Sequence, residues 1–113
     1  MLRFVTFAVK RATAVHHAQL QGHLGLLLAD NSVLHLNSTK ESAFPVSDML
    51  SMLREQNGRA NMMARARELI SSPPQKAIVP ASDVVLHAPI IPPRNIICIG
   101  KNYLDHLNEV TFL

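Results

Sequence analysis

Six of the chain's seven prolines, Pro73, Pro74, Pro80, Pro89, Pro92 and Pro93, fall between positions 73 and 93. A proline lacks the backbone N–H, fixes φ and pushes the residue before it toward extended conformations, so no helix fits through this stretch. The segment reads as an extended connector over 73–94. It separates the first 72 residues from a short C-terminal piece, NIICIGKNYLDHLNEVTFL, Asn95 to Leu113. Within the connector, DVVLH (Asp83 to His87) has the β-branched content of one short strand. At 113 residues the chain has room for one core and not for two independent ones.

Upstream of the prolines, Phe4 to Val9 alternates in a way that suits a first strand, and Lys10 to Gln21 follows as a polar connection. HLGLLLA and SVLHLN flank Asp30-Asn31-Ser32, a tight-turn signal, and are expected to pair as a hairpin. His35 lies between Leu34 and Leu36 and is expected on the solvent side of that hairpin. Ser47 is the expected N-cap of a helix over Asp48 to Gln56, apolar at Met49, Leu50, Met52 and Leu53 and ended by Asn57-Gly58. A second helix over Ala60 to Ser71 has Met62, Met63, Ala66, Leu69 and Ile70 as its buried stripe, with the methionines as core filler. The expected fold class is α+β. A hairpin and an added strand pack on two short helices over 1–72, and the connector, a strand and a short lid-like helix follow.

Aromatics make up only 4% of the chain and there is no Trp, so Leu, Ile, Val, Met and Ala must build the core. The net charge is +3, and Arg and Lys are scattered rather than gathered. Arg54, Arg59, Arg65 and Arg67 could form a basic helix face, but Glu55 and Glu68 interleave and no aromatic is placed to stack on a base. A nucleic-acid partner is not expected. Cys98 is the single cysteine, which excludes an internal disulfide and a thiolate metal cage and suits a reducing, intracellular compartment. No apolar run nears the roughly 20 residues of a membrane span. Arg3, Lys10 and Arg11, with no acid before Asp30, give residues 1–21 the composition of a mitochondrial presequence, a reading that competes with the first strand. Cytoplasm and mitochondrion both remain open.

In the C-terminal piece, IICI reads as a buried strand, Gly100 as a turn and Tyr103 to Glu109 as the start of a helix. The glycine pattern of a dinucleotide fold and the Ser or Thr of a phosphate loop are both missing. His106 and Glu109 stand three apart and share a face on a helix. A carboxylate so placed fixes the imidazole tautomer and raises its basicity, and such a His accepts a proton from water near neutral pH. On spacing alone, the same pair also suits an ordinary helix surface.

The string Pro92-Pro93-Arg94, then IICIGKNY, then Asp105-His106 with Glu109 three later, resembles the junction between the N-terminal and catalytic domains of the fumarylacetoacetate hydrolase family. The resemblance extends weakly upstream through RFVTF, the hairpin, SDMLSML and VVLHAPIIPPR. It implies that 95–113 begins a catalytic domain and that His106 and Glu109 are a water-activating dyad on a lid helix. It also makes Asn102 and Tyr103 substrate contacts. Further implications are a small keto-acid substrate such as an acylpyruvate, oxaloacetate or fumarylacetoacetate, and a homodimer in the full-length form. A Mg²⁺ ion is implied as well, held by a Glu-x-Glu pair and a later Asp that this chain lacks. Leu107 and Asn108 replace small residues often found after the His. The ending VTFL suggests an interrupted sequence, so the chain is expected to be an inactive N-terminal part of a metal-dependent hydrolase or decarboxylase. A non-catalytic accessory or dimer-stabilising module is the alternative.

Overall fold

The structure, a computed structural model, describes residues 1–10, 22–92, 94, 95 and 97. Its elements in chain order are β1 (Phe4–Val9), β2 (His23–Leu27), β3 (Val33–His35), α1 (Met49–Arg54), α2 (Arg59–Ser71), β4 (Ile78–Val79) and β5 (Val84–Leu86). The strands form one antiparallel sheet in the order β4-β3-β2-β1-β5. This is an α+β architecture, as the sequence led one to expect.

The hairpin between β2 and β3 closes through the Asp30-Asn31-Ser32 turn. Asn31 takes φ 68°, a left-handed conformation that asparagine tolerates better than most residues. The Asp30 carboxylate accepts hydrogen bonds from the Ser32 backbone N–H at 3.0 Å and from its hydroxyl. These bonds hold the Asp30 carboxyl below its ordinary value, the Ser32 hydroxyl contributing most. The resulting register sets Leu26 opposite Leu34 and Gly25 opposite His35.

Side chains alternate across a strand, so the pairing assigns each residue to a face. Phe4, Leu24, Leu26, Leu34 and Ile78 share one face and pack with the buried Leu36, Phe44, Met49, Met52, Met62, Ala66, Leu69 and Ala77. Burying a side chain of this size contributes about 1.5–3 kcal/mol. The α2 stripe is as expected: Met62, Ala66 and Leu69 are buried, and Met63 and Ile70 are partly so. The opposite face carries Val5, Phe7, Leu27, Val33 and His35. Phe7 and Val33 are fully buried there, so the sheet is apolar on both sides.

Two helix boundaries differ from expectation. Asp48, not Ser47, caps α1: its carboxylate accepts from the Ser51 N–H at 2.7 Å and from the Ser51 hydroxyl at 3.0 Å. A charged acceptor makes the stronger cap bond. The helix ends at Arg54 because Glu55 is extended, and the Glu55 carboxylate accepts from the N–H groups of Asn57 and Gly58 at 3.1 and 2.9 Å. Gly58 is then the N-cap position of α2 rather than the end of α1.

The proline-rich segment does more than connect. It supplies both edge strands, β4 against β3 and β5 against β1. The expected strand within 83–87 is β5, whereas β4 was not anticipated. Phe4–Val9 lies between β2 and β5, which is the strand reading of that stretch. The expected strand Asn95 to Ile99 and the lid-like helix lie outside the described residues, wholly or in most of their length.

Candidate functional site

Asn102, Tyr103, His106 and Glu109, the residues that the sequence nominates for chemistry, all lie outside the described residues. The described residues hold two other features with a chemical character, one on each face of the sheet.

The first is a histidine pair. His23 and His35 share the face of Phe7, because Phe7 opposes His23 and Gly25 opposes His35. Gly25 has no side chain, so the two imidazoles close over it with ring centroids 4.6 Å apart and planes inclined at 43°. Phe7 meets the His35 ring edge-on at 5.1 Å and the His23 ring at 5.8 Å. His35 is half-buried, not solvent-facing as the alternation with Leu34 and Leu36 suggested. The alternation was right, but the face it pointed to is itself apolar. Burial, and secondarily the neighbouring His23, hold the His35 imidazole below its ordinary value of 6.5. The sequence signal for this pair was present in the hairpin itself. Once the turn sets Leu26 opposite Leu34, positions 23 and 35 must fall on the same face as diagonal neighbours.

The second feature is a cavity of about 300 Å³ on the helix side of the sheet edge, between Thr6, Leu24, Met49 and the segment Ala88 to Ile91. The Thr6 hydroxyl donates to the Pro89 carbonyl at 2.6 Å and the Thr6 carbonyl accepts from the His87 N–H at 2.8 Å. One residue of β1 therefore ties down the start of the C-terminal run. Beyond that tie Ile91 and Ile97 are 52% and 89% exposed, and just before it Leu86, on the Phe7 face of β5, is 58% exposed.

The basic residues of α1 and α2 are partly spoken for. Arg65 donates to the carbonyls of Ala43 and Glu41 and pairs with Glu68 at 3.2 Å, and Arg59 donates to the carbonyls of Leu53 and Glu55. Among the described residues no group of three or more His, Cys, Asp or Glu side chains is placed to hold a metal ion. They do not fit the three-carboxylate Mg²⁺ site of the family it resembles. Among the described residues no helix is long and apolar enough to cross a membrane.

Over 95 residues the chain is 34% identical to oxaloacetate tautomerase YisK of Bacillus subtilis, an alignment covering 77% of this chain and 32% of that protein. That is a family-level link to the fumarylacetoacetate hydrolase and oxaloacetate tautomerase superfamily. A human protein named oxaloacetate tautomerase FAHD2A, mitochondrial, is 31% identical over 88 residues, covering 77% of this chain and 26% of its own length. The chain thus spans about a third or less of these two relatives. No family model and no solved structure matches it. The link supports a keto-acid-related function in general terms.

Proposed function

We propose that this chain is the N-terminal part of a fumarylacetoacetate hydrolase family enzyme acting on a small keto acid, with oxaloacetate the favoured substrate. The observation that carries the reading is the similarity, over 77% of the chain, to two proteins named for oxaloacetate tautomerisation. Tautomerisation moves a proton between the carbon next to a carbonyl and the carbonyl oxygen. It needs a positioned base and groups that stabilise the enolate. Hydrolysis and decarboxylation of keto acids pass through related charge distributions, so the same roles serve the reactions first considered.

In this reading His106 is the base, Glu109 holds its tautomer, and Asn102 and Tyr103 donate to substrate oxygens. Mg²⁺ belongs to carboxylates that the described residues do not supply. Residues 1–72 form the α+β unit, 73–94 brace its sheet edges while connecting onward, and 95–113 begin the catalytic part. Alone, the chain is inactive, because a base without the groups that stabilise developing enolate charge lacks the larger contribution. Intracellular placement in cytoplasm or mitochondrion, and a homodimer of the full-length form, belong to the same proposal. The alternative, a non-catalytic accessory or dimer-stabilising module, draws on the exposed apolar side chains Leu86, Ile91 and Ile97.

A chimera tests the reading. This chain replaces the matching segment of the Bacillus subtilis relative, and conversion of enol-oxaloacetate to the keto form is followed by absorbance. Activity is expected in the chimera and not in the chain alone. His106→Ala in the chimera should lower kcat by about 10² to 10⁴, the usual contribution of a positioned base, and Glu109→Gln should cost less. A folded chimera that keeps full activity with His106→Ala refutes the assignment.

A further inference from the structure

The two imidazoles over Gly25 have a centroid separation that two rings on a shared metal ion can keep. A zinc-type ion lies about 2.0–2.1 Å from a ligating ring nitrogen and so about 3.2 Å from the ring centroid. Two rings bound at a right angle then have centroids about 4.5 Å apart, and at a tetrahedral angle about 5.2 Å. The His23 and His35 centroids are 4.6 Å apart. Rotation about each Cβ–Cγ bond leaves the centroid nearly in place while it swings a ring nitrogen toward the shared position.

We propose that His23 and His35 form a two-imidazole clip for a borderline divalent transition-metal ion, Zn²⁺, Ni²⁺ or Cu²⁺, that staples β2 to β3. The proposal is independent of the keto-acid reading. Imidazole selects these ions and not Mg²⁺, which prefers oxygen ligands. His23 is exposed and keeps the ion open to water, which fills the remaining positions. The described neighbours on this face, Val5, Phe7, Leu27 and Val33, contribute no further ligand. Burial lowers the proton affinity of His35, so the ion meets a neutral ring at neutral pH without displacing a proton from it. Phe7 packs against both rings, edge-on to His35, and so keeps their centroids side by side over Gly25 while each ring turns about its own axis.

The ion binds the folded hairpin and not the unfolded chain, so it raises the melting temperature by mass action. At about a hundredfold excess over the dissociation constant the stabilisation is about 2.7 kcal/mol, a shift of about 10–20 °C for a domain of this size. The experiment titrates the purified chain with NiCl₂, ZnCl₂ and MgCl₂ at pH 7.5 and pH 5.5. It reads the melting temperature by circular dichroism and the histidine Cε1–H resonances by NMR with Co²⁺ as a paramagnetic probe. Ni²⁺ and Zn²⁺ are expected to raise the melting temperature at pH 7.5 and much less at pH 5.5, with Mg²⁺ inert, and Co²⁺ should displace the His23 and His35 signals together.

His23→Gln, at an exposed position, should abolish the Ni²⁺ shift while leaving the metal-free melting temperature nearly unchanged. His35→Gln should do the same to binding. Should that half-buried substitution unfold the chain, His23→Gln and the Co²⁺ spectrum decide the matter. His87→Gln is the control: Leu86 opposes Phe7, so His87 belongs to the other face and its loss should leave the shift intact. An unaltered Ni²⁺ response in His23→Gln, or Co²⁺ displacement confined to other histidines, overturns the proposal.

Discussion

Gly25→Ala puts one methyl group at the most crowded point of the sheet. Gly25 lies in the middle of β2, opposite Val5 on one side and His35 on the other. A Cβ there would sit 2.8 Å from Phe7 Cε1 and 3.0 Å from the Leu34 carbonyl oxygen, and would also overlap Val33 Cγ1. Carbon atoms pack best about 3.5–4.0 Å apart, so the Phe7 ring must retreat by roughly 1 Å. It has nowhere to go, because Phe7 and Val33 are both fully buried and Phe7 is flanked by His23 and His35. Overpacking of this kind costs about 1–3 kcal/mol. Alanine returns about 0.5–1 kcal/mol through the smaller entropy of the unfolded chain. The net loss of about 1–2 kcal/mol corresponds to a fall in melting temperature of about 5–15 °C. The assay is thermal unfolding followed by far-ultraviolet circular dichroism. Gly58→Ala, whose Cβ would meet only the flexible Glu55 side chain at 3.3 Å, is the control and should move the midpoint less. A Gly25→Ala chain that melts at or above the unaltered temperature would show that the face around Phe7 is not closed as described.

Acid should weaken the fold through His35. Its folded value lies below 6.5, so between that lowered value and 6.5 the unfolded chain binds more protons; stability is full above about pH 6.5 and declines as the pH falls through this window. Urea midpoints at pH 7.5 and 5.5 should differ less for His35→Gln than for the unaltered chain, and an equal difference would remove His35 from the account. Asp48→Ala should cost about 1 kcal/mol by removing the α1 cap, read as a lower urea midpoint, whereas Ser47→Ala should be nearly silent. The exposed apolar side chains Leu86, Ile91 and Ile97 should bind a hydrophobic dye and promote self-association by light scattering, and Leu86→Ser with Ile91→Ser should reduce both; a monomer that ignores the dye contradicts this.

What the sequence disclosed was local. Phe4–Val9 matches its strand residue for residue because its β-branched and aromatic content fits a pleated surface, and the Asp30-Asn31-Ser32 turn sets the hairpin register through its own side chains. The α2 stripe was legible for the same reason, since helical spacing is written along one element. The choice of Asp48 over Ser47 turns on which side chain reaches Ser51, a matter of backbone geometry that two adjacent capping residues do not separate. His35 misled because alternation tells which residues share a face and not what that face meets. Ile78-Val79 is too short to announce a strand, and it becomes one only because β3 offers an unpaired edge. The proposed dyad was legible as a motif, whereas the histidine pair needed the hairpin register before it could be seen.

The placement of the prolines now has a physical reading. An exposed sheet edge offers unpaired N–H and C=O groups to any passing strand, and short edge strands and prolines are standard ways to blunt it. Here β4 is two residues long and β5 three. Pro80 stands between them, with Pro73 and Pro74 before and Pro89 and Pro92 after. Neither edge strand extends through a proline and still offers a continuous ladder, so further strand addition is disfavoured on both sides of the sheet. The side chains tell a different story, for Leu86 on the Phe7 face of β5, Val85 on the opposite face, and Ile90 and Ile91 in the run that leaves the strand all remain exposed. A surface with blunted backbone and open apolar side chains is suited to packing against another surface rather than to accepting another strand.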